Sequence, residues 1–167
     1  MSQYRVRAAT ETDAEAICRI YNEGIEDRVA TLETELRTVA ERRQWLAGRG
    51  PRHPVIVTEV AAPAPTIVGW GSLNVFNPRE AYRFVADFSV YVERAWRGKG
   101  VGSALLEQLV ALAREHGFHK LVLSAFPTNT GGIALYEKFG FRTVGIYREQ
   151  GRLDGAWVDT IVMEKLL

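Results

Sequence analysis

Two patterns of hydrophobic and polar positions follow one another along this chain, and together they predict an α/β (α+β) fold. Alternation at every second residue predicts strands at residues 4–9, 55–60, 67–73, 85–92, 120–125, 142–148 and 156–164. Apolar residues at helical spacing predict four helices. The first begins after Thr10 or Thr12, the second spans about 39–47, the third begins at 104, and the fourth begins at 128–130. Hairpins stand at both ends and helical crossovers in the middle, so we expect a mixed sheet of seven strands.

The connecting segments show neither period. Residues 24–36 are predicted to form a loop, residues 61–65 a proline-bearing turn, and residues 74–84 a loop rich in aromatic and basic side chains. The proline-bearing turn is shorter than a domain linker, and 167 residues suit one domain. We therefore expect residues 1–167 to form a single domain.

Composition narrows the class of protein. A hydrophobic content of 47%, a charged content of 25% and a net charge of +1 are ordinary for a globular chain, and they give no reason to expect nucleic acid or a membrane as a partner. No apolar run approaches the length of a membrane span, and the first residues lack the apolar core of a signal peptide. We expect a cytoplasmic protein. One cysteine excludes an internal disulfide, and with three scattered histidines we expect no metal site.

The most informative stretch is residues 97–103, Arg-Gly-Lys-Gly-Val-Gly-Ser, between a predicted strand and a predicted helix. Glycine at every second position lets the backbone turn without a Cβ in the way. Consecutive amide groups can then point into one concavity, with the positive end of the helix dipole behind them. We expect this loop to bind a phosphate or pyrophosphate, with Arg97 and Lys99 at its rim. The alternative is a glycine-rich turn that binds nothing.

Two common nucleotide-binding loops do not fit this stretch. A P-loop needs Ser or Thr after Gly-Lys, but Gly100 follows Lys99. The dinucleotide fingerprint needs glycine at 103, where Ser103 stands, and an acidic residue about 20 positions on, where Gly117 and Phe118 stand. The pattern Arg-x-x-Gly-x-Gly after a strand instead resembles the signature of the GNAT acyltransferase superfamily.

A second motif downstream strengthens the resemblance. Asn129, followed by Gly-Ile-Ala-Leu-Tyr-Glu-Lys-Phe-Gly-Phe at 132–141, resembles the Asn…Ala-x-x-Tyr-Glu-Lys-x-Gly-Phe block of the family. The resemblance implies a mostly antiparallel sheet in which the central strand and the next one splay apart, with acetyl-CoA in the gap. It implies that Asn129 holds the pantetheine arm and that Tyr136 stands near the thioester sulfur. The implied main-chain and loop contacts to the cofactor come from Val90, Tyr91, Val92, Arg97, Gly98, Lys99, Gly100, Val101, Gly102 and Ser103.

Direct acetyl transfer explains these residue types. An amine attacks a thioester only as the free base, so a carboxylate must take its proton, directly or through water. The departing thiolate gains from a hydroxyl that protonates it, a role we assign to Tyr136. The Val90 N–H is a candidate donor to the oxyanion. The alternative for Tyr136 is a core aromatic on an amphipathic helix.

Over nearly the whole chain the sequence resembles the phosphinothricin and methionine-sulfoximine N-acetyltransferase branch more closely. The supporting segments are Ile20-Tyr21-Asn22, Thr31-x-x-Thr-Glu35, Trp45, Ala81-Tyr82, Asp87 to Val92, and Gly151-x-x-x-Gly-x-Trp-x-Asp159. That branch has a catalytic glutamate where Asp87 stands, which implies that Asp87 is the base. Because aspartate is one methylene shorter, it would need a bridging water or a closer substrate. The alternative for Asp87 is a strand carboxylate paired with Arg83 or Arg148.

The branch also implies the acceptor, which is the α-amino group of a small amino-acid-like compound. We predict that it is bound by Glu35, Arg79, Tyr82 and Arg83. Arg79 and Arg83 are candidate clamps for anionic groups, the alternative being solvated surface arginines. Asn77 stands where the branch usually has a basic residue, and Leu36 where it has proline, so specificity for phosphinothricin itself is doubtful, although N-acetylation is not.

Two other functions stay open at this point. Acetylation of a protein N-terminus or lysine needs an open, often acidic groove, and the arginine-bearing loop at 74–84 argues against it. A non-catalytic acyl-CoA sensor would keep the cleft without turnover, and the carboxylate at 87 together with Tyr136 argues against that. The expected partner is a small-molecule amine, and because dimers are common in the branch, a homodimer is a further expectation.

Three remaining residues carry weaker hypotheses. Cys18 is a candidate acyl-accepting nucleophile, but no histidine lies near it in the sequence, and we expect it to fill the core. His116 and His119 are expected at the solvated end of the third helix rather than as ligands.

Overall fold

The computed structural model describes residues 3–167, which build one seven-stranded sheet with helices on both faces. The order of elements is β1 (Tyr4–Ala8), α1 (Ala14–Asp27), α2 (Val39–Ala47), β2 (Val55–Val60), β3 (Thr66–Val75), β4 (Val85–Val92), α3 (Val101–Glu115), β5 (Lys120–Ala125), α4 (Thr130–Lys138), β6 (Arg142–Leu153) and β7 (Ala156–Leu166). Short 3₁₀ turns occur at Glu11–Asp13, Glu80–Tyr82 and Arg94–Trp96. The seven strands and four helices of this part of the chain confirm the predicted fold class.

The strand order is β1-β2-β3-β4-β5-β7-β6, and every neighbouring pair is antiparallel except β4 and β5. The parallel pair is joined by the α3 crossover, as a parallel connection requires. The sheet is therefore mixed and mostly antiparallel, and its one parallel pair lies at its centre.

Each face of the sheet has its own apolar core, because alternate side chains of a strand point to opposite faces. In β2, Ile56 and Val60 pack with Leu105, Leu106 and Leu109 of α3. Val55 and Val57 pack on the other face with Ile17 and Ile20 of α1. The sheet is thus packed on both faces, and the central strand β4 contributes Ala86 and Phe88 to the first core and Tyr91 to the second.

Several element boundaries differ from the sequence prediction, and the ends of α1, β3 and β6 bear on the site. Helix α1 continues to Asp27, so the predicted loop at 24–36 is wrong for its first four residues. Gly24 weakens the helical signal there, and a Cβ at this position would lie 3.1 Å from the Tyr91 ring, so glycine favours the close approach of α1 to β4. Strand β3 reaches Val75 and β6 reaches Leu153, both beyond their predicted ends.

The first helical turn is capped by Thr10 rather than Thr12. The Asp13 carboxylate accepts a hydrogen bond from the Thr10 amide at 2.8 Å and is paired with Arg7 at 2.8 Å. Within residues 3–167, no helix is both long enough and apolar enough to span a membrane.

Candidate active site

The two central strands separate at Asp87. Their parallel register contains three pairs, Val85 with Lys120, Ala86 with Leu121 and Asp87 with Val122. Beyond Asp87, β4 stays paired with β3 and β5 stays paired with β7, but β4 and β5 no longer pair with each other. The result is a wedge-shaped gap in the middle of the sheet, as the resemblance implies.

Strand β4 turns amide groups into this gap. The Glu93 amide donates to the Val68 carbonyl of β3 at 2.9 Å. Because successive residues of a strand direct their amides to opposite sides, Tyr91 pairs with β3 while Val90 and Val92 direct their N–H groups away from it. Those two amides face the side from which β5 has diverged, so they are donors available to a ligand in the gap.

An outer cavity of about 460 Å³ occupies the wide end of the gap. It lies between β4, the start of α3 and the start of α4. Nine of the predicted cofactor positions line it: Val90, Tyr91, Val92, Arg97, Gly98, Gly100, Gly102, Ser103 and Asn129. The structure thus brings the glycine-rich loop, the strand before it and the downstream asparagine to one site.

The glycine-rich loop has the backbone that the sequence predicts. Gly98 and Gly100 have φ values of +74° and +90°, a conformation that favours glycine. The first helical bond of α3 runs from the Ala104 amide to the Gly100 carbonyl at 3.1 Å. The amides of 101–103 therefore have no partner within the helix, and they stand at its positive end. This is an anion-binding geometry.

Two predicted cofactor residues do not line the cavity. The Val101 side chain is fully buried in the core, so only its main chain is available to a ligand. The Lys99 ammonium lies 5.4 Å from the Trp96 ring centroid, and the Lys99 carbonyl accepts a hydrogen bond from the Tyr4 hydroxyl. Lys99 therefore contributes charge near the loop rather than a wall of the site.

Arg97 is fixed at the cavity rim by a carboxylate. Its Nη1 lies 2.7 Å from Asp27 Oδ2, and Arg94 lies 2.8 Å from the other oxygen of the same carboxyl. The hydrogen bonds from Arg94 and then Arg97 lower the pKa of Asp27 to about 2. Asp27 is thus ionised at neutral pH, and it sets the direction of the Arg97 guanidinium.

An inner cavity of about 200 Å³ continues from the outer one. The two share walls formed by Val90, Tyr91, Asn129 and Tyr136. Asp87, at the apex of the gap, also lines the inner cavity. A carboxylate and a phenol therefore meet at the narrow end, beyond the glycine-rich loop and the outer cavity.

Burial sets the protonation of both groups. It raises the pKa of Asp87 to about 6, and a hydrogen bond from Asn74 opposes the rise. Asp87 is then mostly ionised at pH 7 yet basic enough to take a proton. Burial, and next the nearby Asp87 charge, raise the pKa of Tyr136, which keeps its proton at neutral pH. The pair is suited to one base and one acid.

Neither arginine proposed as an ion-pair partner reaches Asp87. Arg83 pairs with Glu80 at 3.0 Å, and Arg148 pairs with Asp159 at 3.0 Å. The Asp87 carboxylate instead contacts the Asn74 amide group at 3.5 Å. The interpretation of Asp87 as a structural ion-pair carboxylate is therefore wrong.

Helix α4 holds the phenol and the asparagine. The Tyr136 ring makes edge-to-face contacts with Phe88 and Phe141, at centroid distances of 5.8 and 6.1 Å. Asn129 caps the helix, since its Oδ1 accepts from the Gly132 amide at 3.0 Å. The aromatic contacts thus fix the position of the Tyr136 ring. Tyr136 also lines both cavities.

The four predicted substrate-binding residues lie elsewhere. Glu35, Arg79, Tyr82 and Arg83 are exposed, and none of them lines either cavity. The physical reason for the last three is that the loop at 76–84 enters β4 at its paired end, opposite to the end where the gap opens. Within this chain the structure does not bring these side chains to the site.

Other residues contribute to the site without having been predicted. Val29 and Ala30, in the segment between α1 and α2, line both cavities. Asn74 contacts Asp87 because β3 extends past its predicted end. Val29 and Ala30 carry no chemical signal in the sequence, and the contact of Asn74 depends on the β3–β4 register, which the sequence does not report.

The remaining candidate groups stay outside the site. Cys18 is buried, its Sγ donates to the Arg37 carbonyl at 3.2 Å, and burial raises the pKa of its thiol, all of which fit a filler of the core. His116 ends α3. Within residues 3–167, no group of three or more His, Cys, Asp or Glu side chains is arranged to hold a metal ion.

Comparison with known proteins agrees with this geometry. Residues 15–141 match the model of the acetyltransferase (GNAT) family. The L-methionine sulfoximine/L-methionine sulfone acetyltransferase of Pseudomonas paraeruginosa is 31% identical over 95% of this chain and 92% of its own length.

Two solved structures superpose closely. The ribosomal-protein-alanine N-acetyltransferase of Brucella melitensis has a TM-score of 0.92 at 35% identity, covering 98% of this chain and 99% of its own. A phosphinothricin acetyltransferase of Sinorhizobium meliloti, in complex with acetyl-CoA, has a TM-score of 0.90 at 31% identity, covering 99% of this chain and 89% of its own.

Proposed function

The chain belongs to the acetyltransferase (GNAT) family and is an acetyl-CoA-dependent N-acetyltransferase, and we propose that its acceptor is the α-amino group of a small amino-acid-like compound. Relatives named for methionine sulfoximine and phosphinothricin support this substrate class. The proposal extends to residues 1–167 acting as one domain.

One observation supports the proposal most strongly: the β4–β5 pairing ends at Asp87, and an outer and an inner cavity run continuously from the glycine-rich loop to that carboxylate. The outer cavity fits acetyl-CoA, because unpaired amides at the start of α3 suit its diphosphate. A Cβ at Gly102 would lie 3.2 Å from the Leu135 side chain, so glycine permits the close approach of α3 to α4 in the cavity wall.

Acetyl-CoA supplies an activated thioester, and the proposed role of Asp87 is to activate the amine. Ionised at neutral pH, Asp87 accepts a proton from the acceptor amine, directly or through one water, as the nitrogen bonds to the acetyl carbonyl carbon. Its raised pKa improves this match, since an aspartate near 4 would be a weaker base.

Val90 and Tyr136 are proposed to stabilise the negative charges that develop on the carbonyl oxygen and on the departing sulfur. The Val90 amide donates to the carbonyl oxygen as negative charge grows on it. Tyr136 donates its proton to the sulfur as the carbon–sulfur bond breaks. Each atom of the transfer then has a partner from β4 or α4, and no covalent acyl-enzyme is required.

The size of the inner cavity favours a small acceptor. About 200 Å³ is room for an amine and a short carbon skeleton rather than for a folded protein surface. Because the exposed residues Glu35, Arg79, Tyr82 and Arg83 do not line this cavity, we propose that they contact the part of the acceptor that projects from it.

A second candidate is acetylation of a protein N-terminus. The named activity of the Brucella melitensis structure favours it, since that enzyme acts on ribosomal-protein alanine and is 35% identical to this chain. An extended N-terminal residue could enter the inner cavity, while the rest of the peptide stays outside.

The two candidates are separated by a panel of acceptors. The protein is incubated with acetyl-CoA and a thiol reagent, together with free amino-acid analogues or with short peptides that start with alanine. The proposal predicts thiol release with analogues such as methionine sulfoximine and little release with peptides. Preference for peptides would establish the second candidate, and tight acetyl-CoA binding without release for any amine would indicate an acyl-CoA sensor.

We also propose a homodimer, on the ground of the branch resemblance. The β6–β7 hairpin exposes Val144, Ile146, Tyr147 and Trp157, the last at 61%. Light scattering behind a sizing column measures the mass directly, and a monomer at micromolar concentration would contradict the proposal.

A further inference from the structure

Asn74 lies between the proposed base and a partly buried arginine. It pairs with Asp87 in the β3–β4 register, so the two side chains project from the same face of the sheet. Asn74 Nδ2 donates to Ser89 Oγ at 3.1 Å and reaches Asp87 Oδ1 at 3.5 Å. The second distance is at the outer limit of a hydrogen bond. The amide group is therefore shared between the hydroxyl and the carboxylate.

The orientation of the Asn74 amide is fixed from its other side. Arg49 Nη2 donates to Asn74 Oδ1 at 3.0 Å, and Ser72 Oγ donates to the same oxygen at 2.9 Å. An amide oxygen only accepts, an amide NH₂ group only donates, and an arginine also only donates, so Arg49 excludes the flipped side chain. The Ser72 hydroxyl can donate or accept, and it adds a second hydrogen bond to the orientation that Arg49 selects. The NH₂ group is consequently held toward Asp87 and Ser89.

Arg49 is itself immobilised. Its Nε donates to the His53 carbonyl at 3.1 Å, and its Nη2 also donates to the Leu73 carbonyl. Its guanidinium lies 4.6 Å from the Trp45 ring centroid. Arginine stays charged in proteins, so a fixed positive charge stands one amide group away from the proposed base.

We infer that Asn74, held by Arg49 and Ser72, is a positioning residue that orients the Asp87 carboxylate toward the acceptor amine. The inference rests on the proposed function for the role of Asp87 as base, whereas the chain of hydrogen bonds does not depend on it. The inner cavity that Asp87 lines is also lined by Tyr136 from α4, whose phenol is neutral at pH 7, and by the hydroxyl residues Ser89 of β4 and Ser124 of β5. Asn74 is the side chain that reaches the Asp87 carboxylate itself.

The test compares Asn74→Ala and Asn74→Asp with the unmodified protein. The pKa of Asp87 is measured by carbon NMR, its signal identified by its loss in Asp87→Asn, and the acidic limb of kcat/KM is measured in parallel. Asn74→Ala should raise both midpoints by about 0.5 unit, because a donor that favours the charged carboxylate is lost. Asn74→Asp should raise them by about 1 unit or more, because it adds a like charge beside Asp87.

Arg49→Met tests the relay, with Arg52→Met as the matched control. Arg52 belongs to the same segment and lies over the Phe118 ring, but it donates to the Arg83 carbonyl instead of Asn74. Arg49→Met should shift the Asp87 midpoint upward, and it should add nothing in the Asn74→Ala background, since the two act in one chain. Arg52→Met should leave the midpoint unchanged.

Unshifted midpoints in folded Asn74→Ala and Asn74→Asp proteins would overturn the inference. Asn74→Asp keeps a side-chain oxygen that can accept hydrogen bonds from Arg49 and Ser72. The test can therefore be made with Asn74→Asp alone if Asn74→Ala fails to fold. A failure of the proposed base looks different: the acidic limb would persist in Asp87→Asn, while the NMR midpoint of the unmodified protein would still respond to Asn74.

Discussion

Asp87 pairs with Val122 in the last register step before β4 and β5 separate. This relationship places a carboxylate at the apex of the cleft, where the sheet on both sides buries it. Burial raises its pKa, and the cleft leaves it accessible from one direction. A break in strand pairing is thus sufficient to make an ordinary strand aspartate into a candidate base.

Replacing Tyr136 by phenylalanine tests the proposed acid. The ring contacts with Phe88 and Phe141 remain, so only the hydroxyl is lost. We expect kcat to fall about 100-fold, within the range for general acid catalysis, while the Kd for acetyl-CoA and the melting temperature stay unchanged. Steady-state kinetics and calorimetry measure these, with the exposed Tyr147→Phe as the control. An unchanged kcat would return Tyr136 to the role of a core aromatic.

A Gly98→Ala variant tests the glycine-rich loop. At φ = +74° a Cβ meets no atom within 4 Å, so the effect comes from the backbone alone. Left-handed backbone costs a non-glycine residue about 1–2 kcal/mol, and a loop that relaxes away from it turns its amides from the ligand. The Kd for acetyl-CoA should therefore rise about 5- to 30-fold, read from tryptophan fluorescence.

The control for the loop is Gly50→Ala, which also meets no atom within 4 Å and does not have a positive φ. Its Kd for acetyl-CoA should match that of the unmodified protein. If Gly98→Ala bound acetyl-CoA equally well, the amides of this loop would not be what grips the diphosphate.

The raised pKa of Asp87 also predicts how stability depends on pH. An unfolded aspartate titrates near pH 3.9, whereas folded Asp87 titrates near 6. Between these values the folded protein binds more protons than the unfolded chain, so the free energy of unfolding falls as pH rises and levels off above 6. The total loss is on the order of 2–3 kcal/mol.

Asp87→Asn removes that loss, so its stability relative to the unmodified protein should grow by on the order of 2–3 kcal/mol between pH 4 and pH 7. Urea unfolding at several pH values measures it. Asp154→Asn is the control, because Arg28 lowers the pKa of the exposed Asp154. Its effect should have the opposite sign and should fall mainly below pH 4, so its stability relative to the unmodified protein should change little between pH 4 and pH 7. A difference for Asp87→Asn that does not change with pH would show that Asp87 titrates normally.

Local patterns were enough to predict much of the fold. The predicted strands at 55–60, 85–92 and 120–125 and the helix at 39–47 match the structure in both boundaries. The patterns failed where a neighbour in space decided the conformation. Helix α1 continues through Gly24, where it packs closely on Tyr91 of β4, and the polar end of β6 pairs with β7 at the exposed edge of the sheet.

The site divides in the same way. The anion-binding loop at 97–103 was predictable, because it depends on glycines at every second position of one short stretch, whereas the cleft between β4 and β5 was implied by the family resemblance. The contact of Asn74 with Asp87 depends on the β3–β4 register across a connecting loop, and no local pattern reports a register. The predicted acceptor residues Arg79, Tyr82 and Arg83 were placed by resemblance, which does not show that their loop enters β4 at the closed end of the cleft.

The pH dependence of kcat/KM for the unmodified protein and for Asp87→Asn, with acetyl-CoA and the best acceptor from the panel, tests the central claim most directly. Asp87→Glu serves as the control, since it keeps a carboxylate at the apex of the cleft. In the unmodified protein, kcat/KM should rise with pH around a midpoint near 6. Asp87→Glu should keep this rise. Asp87→Asn should lose it, with a rate about 10²- to 10⁴-fold lower at pH 7. An Asp87→Asn profile that keeps both the limb and the rate would contradict the account.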